Sequence, residues 1–95
     1  MIQLATLLKN RSYLSEACEL LKEAVDMNRH LHGTRSLVVA ETLSLLGMVL
    51  KSKSQYLDAI ESYEECRAIR REHLGIEHQL VAKTTHDIGL VYWSK

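Results

Sequence analysis

The chain repeats itself at a period of 42 residues, and nothing else in it constrains the fold as strongly. Slid against itself by 42 positions, it gives 16 identities over 53 aligned residues without a gap, where chance gives a few. Leu4, Leu8, Lys9 and Ser12 return as Leu46, Leu50, Lys51 and Ser54. Ala17, Glu19, Glu23, Arg29 and Gly33 return as Ala59, Glu61, Glu65, Arg71 and Gly75. Val39, Ala40, Thr42, Gly47 and Val49 return as Val81, Ala82, Thr84, Gly89 and Val91, and Ser52 and Lys53 as Ser94 and Lys95. A fixed period of this length marks a stack of supersecondary units, each burying its apolar face on the next.

Each unit reads as two helices. Pro is absent and only four Gly occur, so the chain is nearly free of helix breakers. The spacing predicts a helix from about Leu37 to Ser52, with Ser36 as N-cap and Val39, Thr42, Leu43, Leu46, Val49 and Leu50 as its apolar stripe. Residues 51–54 form the turn. A second helix follows over about Gln55–His73, with Tyr56, Ala59, Ile60, Tyr63, Cys66 and Ile69 buried and Gly75 as the stop. Residues 13–33 repeat that second helix, with Leu14, Ala17, Cys18, Leu21, Ala24 and Met27 as the stripe. Residues 79–93 repeat the first helix, and Ile88, Val91 and Tyr92 match its core positions. The expected architecture is all-α and has five helices: repeat 1 over about 1–35, repeat 2 over about 36–78, and the first helix of repeat 3 over about 79–95.

A mid-helix Gly costs about 1 kcal/mol relative to Ala. Gly47 and Gly89, with Ala5 one period earlier, therefore imply a compensating close approach of the paired helix. Ala17 and Ala59 are the expected opposing small residues.

The stretch LSLLGMVLKSKSQYLDAIESYEECRAI resembles the tetratricopeptide repeat pattern. Leu46–Gly47 stands at its Leu-Gly pair, Leu50 and Tyr56 at its two aromatic positions, and Ala59, Tyr63 and Cys66 follow in register. The stretch AIRREHLGIEHQLVAKTTHDIGLVY is similar to the longer variant of kinesin light chains and related scaffolds. Leu74–Gly75, Glu77–His78 and Val81–Ala82 carry that likeness, and Gln79 replaces the variant's Pro. The eight residues beyond the ordinary period of about 34 add roughly two helical turns. The resemblance spans essentially the whole chain and implies a right-handed α-solenoid of antiparallel helix pairs.

The resemblance also implies a non-enzymatic scaffold that binds a peptide or protein on a concave face lined by the first helices. It places Gln3, Thr6, Lys9 and Asn10 there from repeat 1, and Ser44, Leu45, Met48 and Lys51 from repeat 2. His86, Asp87, Leu90 and Trp93 come from repeat 3. Met adapts to varied partners and Trp is enriched at binding hot spots. The alternative for these residues is packing against neighbouring helices. The family's carboxylate clamp for chaperone tails is not expected, because Ile2, Thr6, Leu45 and Asp87 occupy the matching positions. The alternative function is an architectural segment of a longer solenoid in a large cytoskeletal or ciliary assembly, with no groove of its own. A regulatory sensor joined to an effector domain is a third reading.

Such repeats seldom bury their apolar faces with fewer than three units and polar caps. The chain is thus expected to be a fragment, or to have its ends covered by further repeats or other chains; otherwise the last helix is itself the cap.

Charge and composition narrow the rest. The 12 basic and 12 acidic side chains cancel, and they cancel locally, five against five before residue 49 and seven against seven after it. Nucleic-acid binding needs an uncompensated basic excess, so neither nucleic acid nor an anionic membrane is an expected partner. Cys18 and Cys66 form no C-x-x-C pair and lie on core stripes, which fits a reducing, cytoplasmic setting. The five His show no ligand spacing such as H-E-x-x-H, so no metal or other cofactor is expected. His86 and Asp87 are adjacent on a helix and point different ways. There is no Gly-rich phosphate loop or nucleophile turn, and catalysis is not expected. Arg67, Arg70 and Arg71 share a helix face, read as solvated and charged, with Glu64 able to offset Arg67.

Overall fold

The computed structural model describes the backbone of residues 2–95 and the side chains of residues 13–95. Four helices account for the described backbone: α1 (Ile2–His32), α2 (Leu37–Ser52), α3 (Tyr56–Leu74) and α4 (Gln79–Ser94). The described residues contain no strand. Packing is sequential, α1 on α2, α2 on α3 and α3 on α4.

The helix boundaries have local causes. Ser36 caps α2 by accepting a 3.2 Å hydrogen bond from the Val39 amide, which satisfies one of the free donors at the helix start. His78 caps α4 in the same way, its Nδ1 accepting from the Leu80 amide at 3.1 Å. Gly33 and Gly75 both take φ of +91°, which only glycine adopts without strain, and each amide bonds back to the carbonyl four residues earlier. At Gly75 the ψ of 156° makes this an extended exit rather than a left-handed helical one.

The first repeat departs from the expected five helices. α1 runs unbroken through Asn10, Arg11 and Ser12, where a turn was expected. The equivalent turn of the second repeat is made by Ser54 at φ +65°. A left-handed conformation costs a non-glycine residue roughly 1–2 kcal/mol. Between α2 and α3 the packing of one helix back onto the other offsets that cost. Residues 10–12 offer neither Gly nor Pro to make the break cheap.

The core lies along the α2–α3 interface. All six predicted stripe residues of α2 are buried, and so are Ala59, Ile60, Tyr63, Cys66 and Ile69 of α3. Tyr56 is half-buried against the same cluster. On α1 the stripe is rotated from its expected position: Cys18 and Val25 are buried, Leu14, Ala17 and Leu21 pack partly, and Met27 is exposed. On α4, Val81, Thr84, Ile88 and Val91 are buried, while Tyr92 is exposed. Its equivalent Leu50 is closed in by α3, whereas α4 meets α3 through its other side.

Gly47 is a close-approach residue, but the group against it is not Ala59. A β-carbon there would stand 2.9 Å from Cζ of Tyr63. At Gly89 nothing lies within 4 Å of a β-carbon, so the recurrence of glycine at that position has no packing cause among the described residues.

Two polar contacts tie the repeats together. Arg29 of α1 pairs with Glu65 of α3 at 2.7 Å, and Arg35 with Glu72 at 2.6 Å. Both are half-exposed surface pairs, worth about 1 kcal/mol or less each. Arg70 is 7 % exposed, which corrects the reading of residues 67–71 as one solvated face. Its guanidinium donates to the hydroxyl of buried Thr84 at 3.0 Å, linking α3 to α4, and Thr84 in turn donates to the Leu80 carbonyl.

Candidate functional site

α2 and α4 both pack against α3, and a groove of about 270 Å³ remains between them. Ser44, Leu45, Met48 and Lys51 form its α2 wall, Lys83, Asp87 and Leu90 its α4 wall, and Tyr63 of α3 its floor. The period explains the arrangement. Each first helix buries the face carrying Val39, Thr42, Leu46 and Val49, or Val81, Thr84, Ile88 and Val91, and the face about one residue-step round the helix looks into the gap.

Six residues marked out by sequence therefore line one groove: Ser44, Leu45, Met48, Lys51, Asp87 and Leu90. His86 and Trp93 are exposed on α4 but sit further round it, outside the lining; Trp93 is 88 % exposed. Thr6, Lys9 and Asn10, and likewise Gln3, lie outside the residues whose side chains are described. Tyr63 and Lys83 were missed. The apolar stripe marks Tyr63 only as a core residue, and the signal for its second role is Gly47, whose missing side chain lets the ring lie across α2. Lys83 could have been found from its i,i+4 relation to Asp87, since such pairs share a helix face.

The groove is amphipathic. Leu45, Met48 and Leu90 are 44 %, 52 % and 39 % exposed, so they offer apolar surface to a ligand. Lys83 approaches Asp87 at 3.8 Å, a loose pair that leaves both groups able to bond elsewhere. Burial, followed by the nearby Asp87 carboxylate, pushes the Tyr63 phenol up to about 12. It is therefore a neutral hydrogen-bonding group at any physiological pH. The site offers cations, a carboxylate, a phenol and aliphatic side chains, with no arrangement for proton transfer or nucleophilic attack. Burial pushes the Cys66 thiol up, which keeps it protonated and inert. Among the described residues no three His, Cys, Asp or Glu side chains gather as a metal site would require. No described helix is long and apolar enough to cross a membrane.

A second crevice, of about 280 Å³, opens on the other side of α2, between α1 and α3. Leu43, Leu46 and Leu50 floor it, but the Arg29–Glu65 ion pair already bridges its rim.

Antiparallel helices recurring at 42 residues, with an open groove between successive first helices, define a helical-repeat protein. The chain belongs to the tetratricopeptide repeat family, whose family model matches residues 1–72 and again residues 38–95. Repeats of this family mediate contacts between proteins and are generally non-enzymatic scaffolds. No curated protein matches the chain.

Proposed function

We propose that the chain is a protein-interaction scaffold that holds an extended segment of a protein partner in the groove between α2 and α4. On this reading the groove is the concave face of a right-handed solenoid, with repeats at about 1–35, about 36–78 and from about 79. The observation that carries the proposal is the convergence of Ser44, Leu45, Met48, Lys51 and Leu90, drawn from two repeats, on one cleft. Leu45, Met48 and Leu90 provide apolar anchor points. Lys51, Lys83 and Asp87 fix the register and direction of the bound segment by charge. His86 and Trp93 flank the groove where they can touch a longer ligand. The likeness to the kinesin light chain variant of the repeat supports an intracellular scaffold, in the cytoplasm or at the cytoskeleton or cilium.

One observation favours the architectural alternative. Large apolar side chains stand exposed at both ends of the stack, Leu20 and Met27 on α1 and Tyr92 and Trp93 on α4, as they do in a tile of a longer array.

The test is an affinity capture read by mass spectrometry, comparing the parent with a Met48→Glu, Leu90→Glu variant of equal helicity by circular dichroism. Both residues are exposed, so the changes spare the core. Selective loss of one or a few partners supports the groove. An unchanged partner set rejects it and leaves the architectural reading.

A further inference from the structure

Residues one period apart differ in burial, and the differences fall on two faces. Of the eight buried residues of α2, Val39, Thr42, Leu46 and Val49 have buried counterparts on α4 in Val81, Thr84, Ile88 and Val91. The other four do not. Ala40, Leu43, Gly47 and Leu50 become Ala82, Thr85, Gly89 and Tyr92, all exposed and all on one side of α4. The second helices differ in the same way. Ala59, Ser62, Cys66 and Ile69 of α3 are buried. Their counterparts on α1 are Leu20 and Met27, 65 % and 60 % exposed, and Ala17 and Ala24, half-buried. The cause is the sequential packing. α2 meets both α1 and α3, while α4 meets α3; α3 meets both α2 and α4, while α1 meets α2. The open side of α4 therefore corresponds to the half of the α2–α3 contact that α2 supplies. The open stripe of α1 corresponds to the half that α3 supplies.

The two halves lie at opposite ends of one copy, and a second copy brings them together. We infer that the chain assembles head to tail, the Tyr13–Met27 stripe of α1 in one copy packing antiparallel on the Ala82–Tyr92 side of α4 in the next. α4 and the incoming α1 then form the helix pair that α2 and α3 form within a copy, and the stack of repeats continues. With α4 in the place of α2 and the incoming α1 in the place of α3, the Gly47–Tyr63 contact becomes Gly89 against Leu21 of the second copy. That gives Gly89 the close neighbour it lacks within one copy. Bulk is exchanged across the contact, since Leu43 gives way to Thr85 while Ser62 gives way to Leu20. At this register Lys95 lies level with Ser15 of the second copy, so the contact needs none of residues 2–12.

The ion pairs between repeats support the same placement independently. Within a copy Arg29 of α1 pairs with Glu65 of α3 at 2.7 Å, and Arg35 pairs with Glu72 at 2.6 Å. Between copies the first pair becomes Arg71 against Glu23, the same two residue types. The second becomes Glu77 against His30, an acid and a base with their sides exchanged. Among the described residues Arg71, Glu23 and Glu77 form no ion pair within the copy. Charges at the rim of a contact select the partner and its register more than they add affinity. A contact between two different surfaces of one chain builds an open stack rather than a two-fold dimer. None of the groove-lining residues takes part, so the assembly stands apart from the groove reading.

The experiment is a light-scattering mass measurement of the 95-residue chain across a dilution series, with two variants that each block one end. The parent's mass is expected to rise past that of a dimer as concentration increases. Leu20→Glu on α1 and Gly89→Glu on α4, both at exposed positions, are each expected to stay monomeric with unchanged helicity. An equimolar mixture of the two is expected to form a dimer and nothing larger, through the one contact left intact. If either variant loses its fold, a charge exchange decides: Arg71→Glu is expected to weaken association, and adding Glu23→Arg to the same chain to restore it. A parent that stays monomeric throughout the series overturns the proposal, leaving the two faces to another partner. A dimer as the end point overturns it too, because a symmetric contact uses one surface twice. So does a mixture of variants that fails to associate, or a charge exchange that restores nothing.

Discussion

The ring of Tyr63 occupies the space a side chain on Gly47 would need, with its Cζ and two Cε atoms 2.9–3.0 Å from the position of a β-carbon. One contact thus joins α2 to α3 and also sets the floor of the groove. Gly47→Ala gains helix propensity but must push a buried ring, and overpacking of this kind costs typically 1–3 kcal/mol. The expected net loss is about 1 kcal/mol, larger for Gly47→Leu, read as a fall in the thermal midpoint. Combining Gly47→Ala with Tyr63→Leu should cost less than the sum of the two single changes. Strict additivity would mean that the ring is not what glycine accommodates.

Gly89 is the contrasting case. It lies inside α4, and among the described residues a β-carbon there meets nothing within 4 Å. Gly89→Ala should therefore stabilise the chain by up to about 1 kcal/mol, the helix-propensity difference. A destabilised variant would show that the position is packed in the functional assembly.

Thr84 is fully buried and accepts from Arg70 while donating to the Leu80 carbonyl. Thr84→Val keeps the shape but leaves the Arg70 guanidinium without its acceptor. Loss of a buried partner costs about 1–3 kcal/mol, toward the upper end for a charged donor. Chemical denaturation should show that loss with an unchanged slope. A second change, Arg70→Leu, should recover part of it.

The alkaline limb of stability should carry the mark of Tyr63. Its folded-state value, about 12, lies above the ordinary 10.0, so the folded chain holds the neutral phenol. The stabilisation is complete below pH 10 and is lost as pH rises through the window from about 10 to about 12. Phenolate absorbance should show a last titrating step that Tyr63→Phe removes. Asp87→Asn should move the step down, because that carboxylate helps to raise it.

Ser36→Ala should cost about 1 kcal/mol, since the Val39 amide then loses its cap. The effect should be additive with Thr84→Val, which acts on a different helix pair.

Much of this was legible in the residues. The 42-residue identities, the i,i+3,i+4 stripes and Ser36 placed α2 and six of its eight buried residues. They placed α3 and α4 to within a residue at most boundaries, because helix periodicity and capping are local physics. Six groove residues were legible through the family pattern, which carries the register of first helices from one repeat to the next.

What the sequence by itself determined was the period, the helical content and the side of α2 and α4 that faces the core. What only the tertiary structure decided was how those helices meet. Ser12 and Ser54 are identical residues at equivalent positions, yet one lies within a continuous helix and the other turns at φ +65°. Gly47 and Gly89 are likewise identical, yet one is filled by an aromatic ring and the other by nothing. Arg70 sits in a run of exposed charge and is nonetheless buried on Thr84. In each case the local chain is compatible with both outcomes, and the energy that chooses comes from a neighbouring helix distant in sequence.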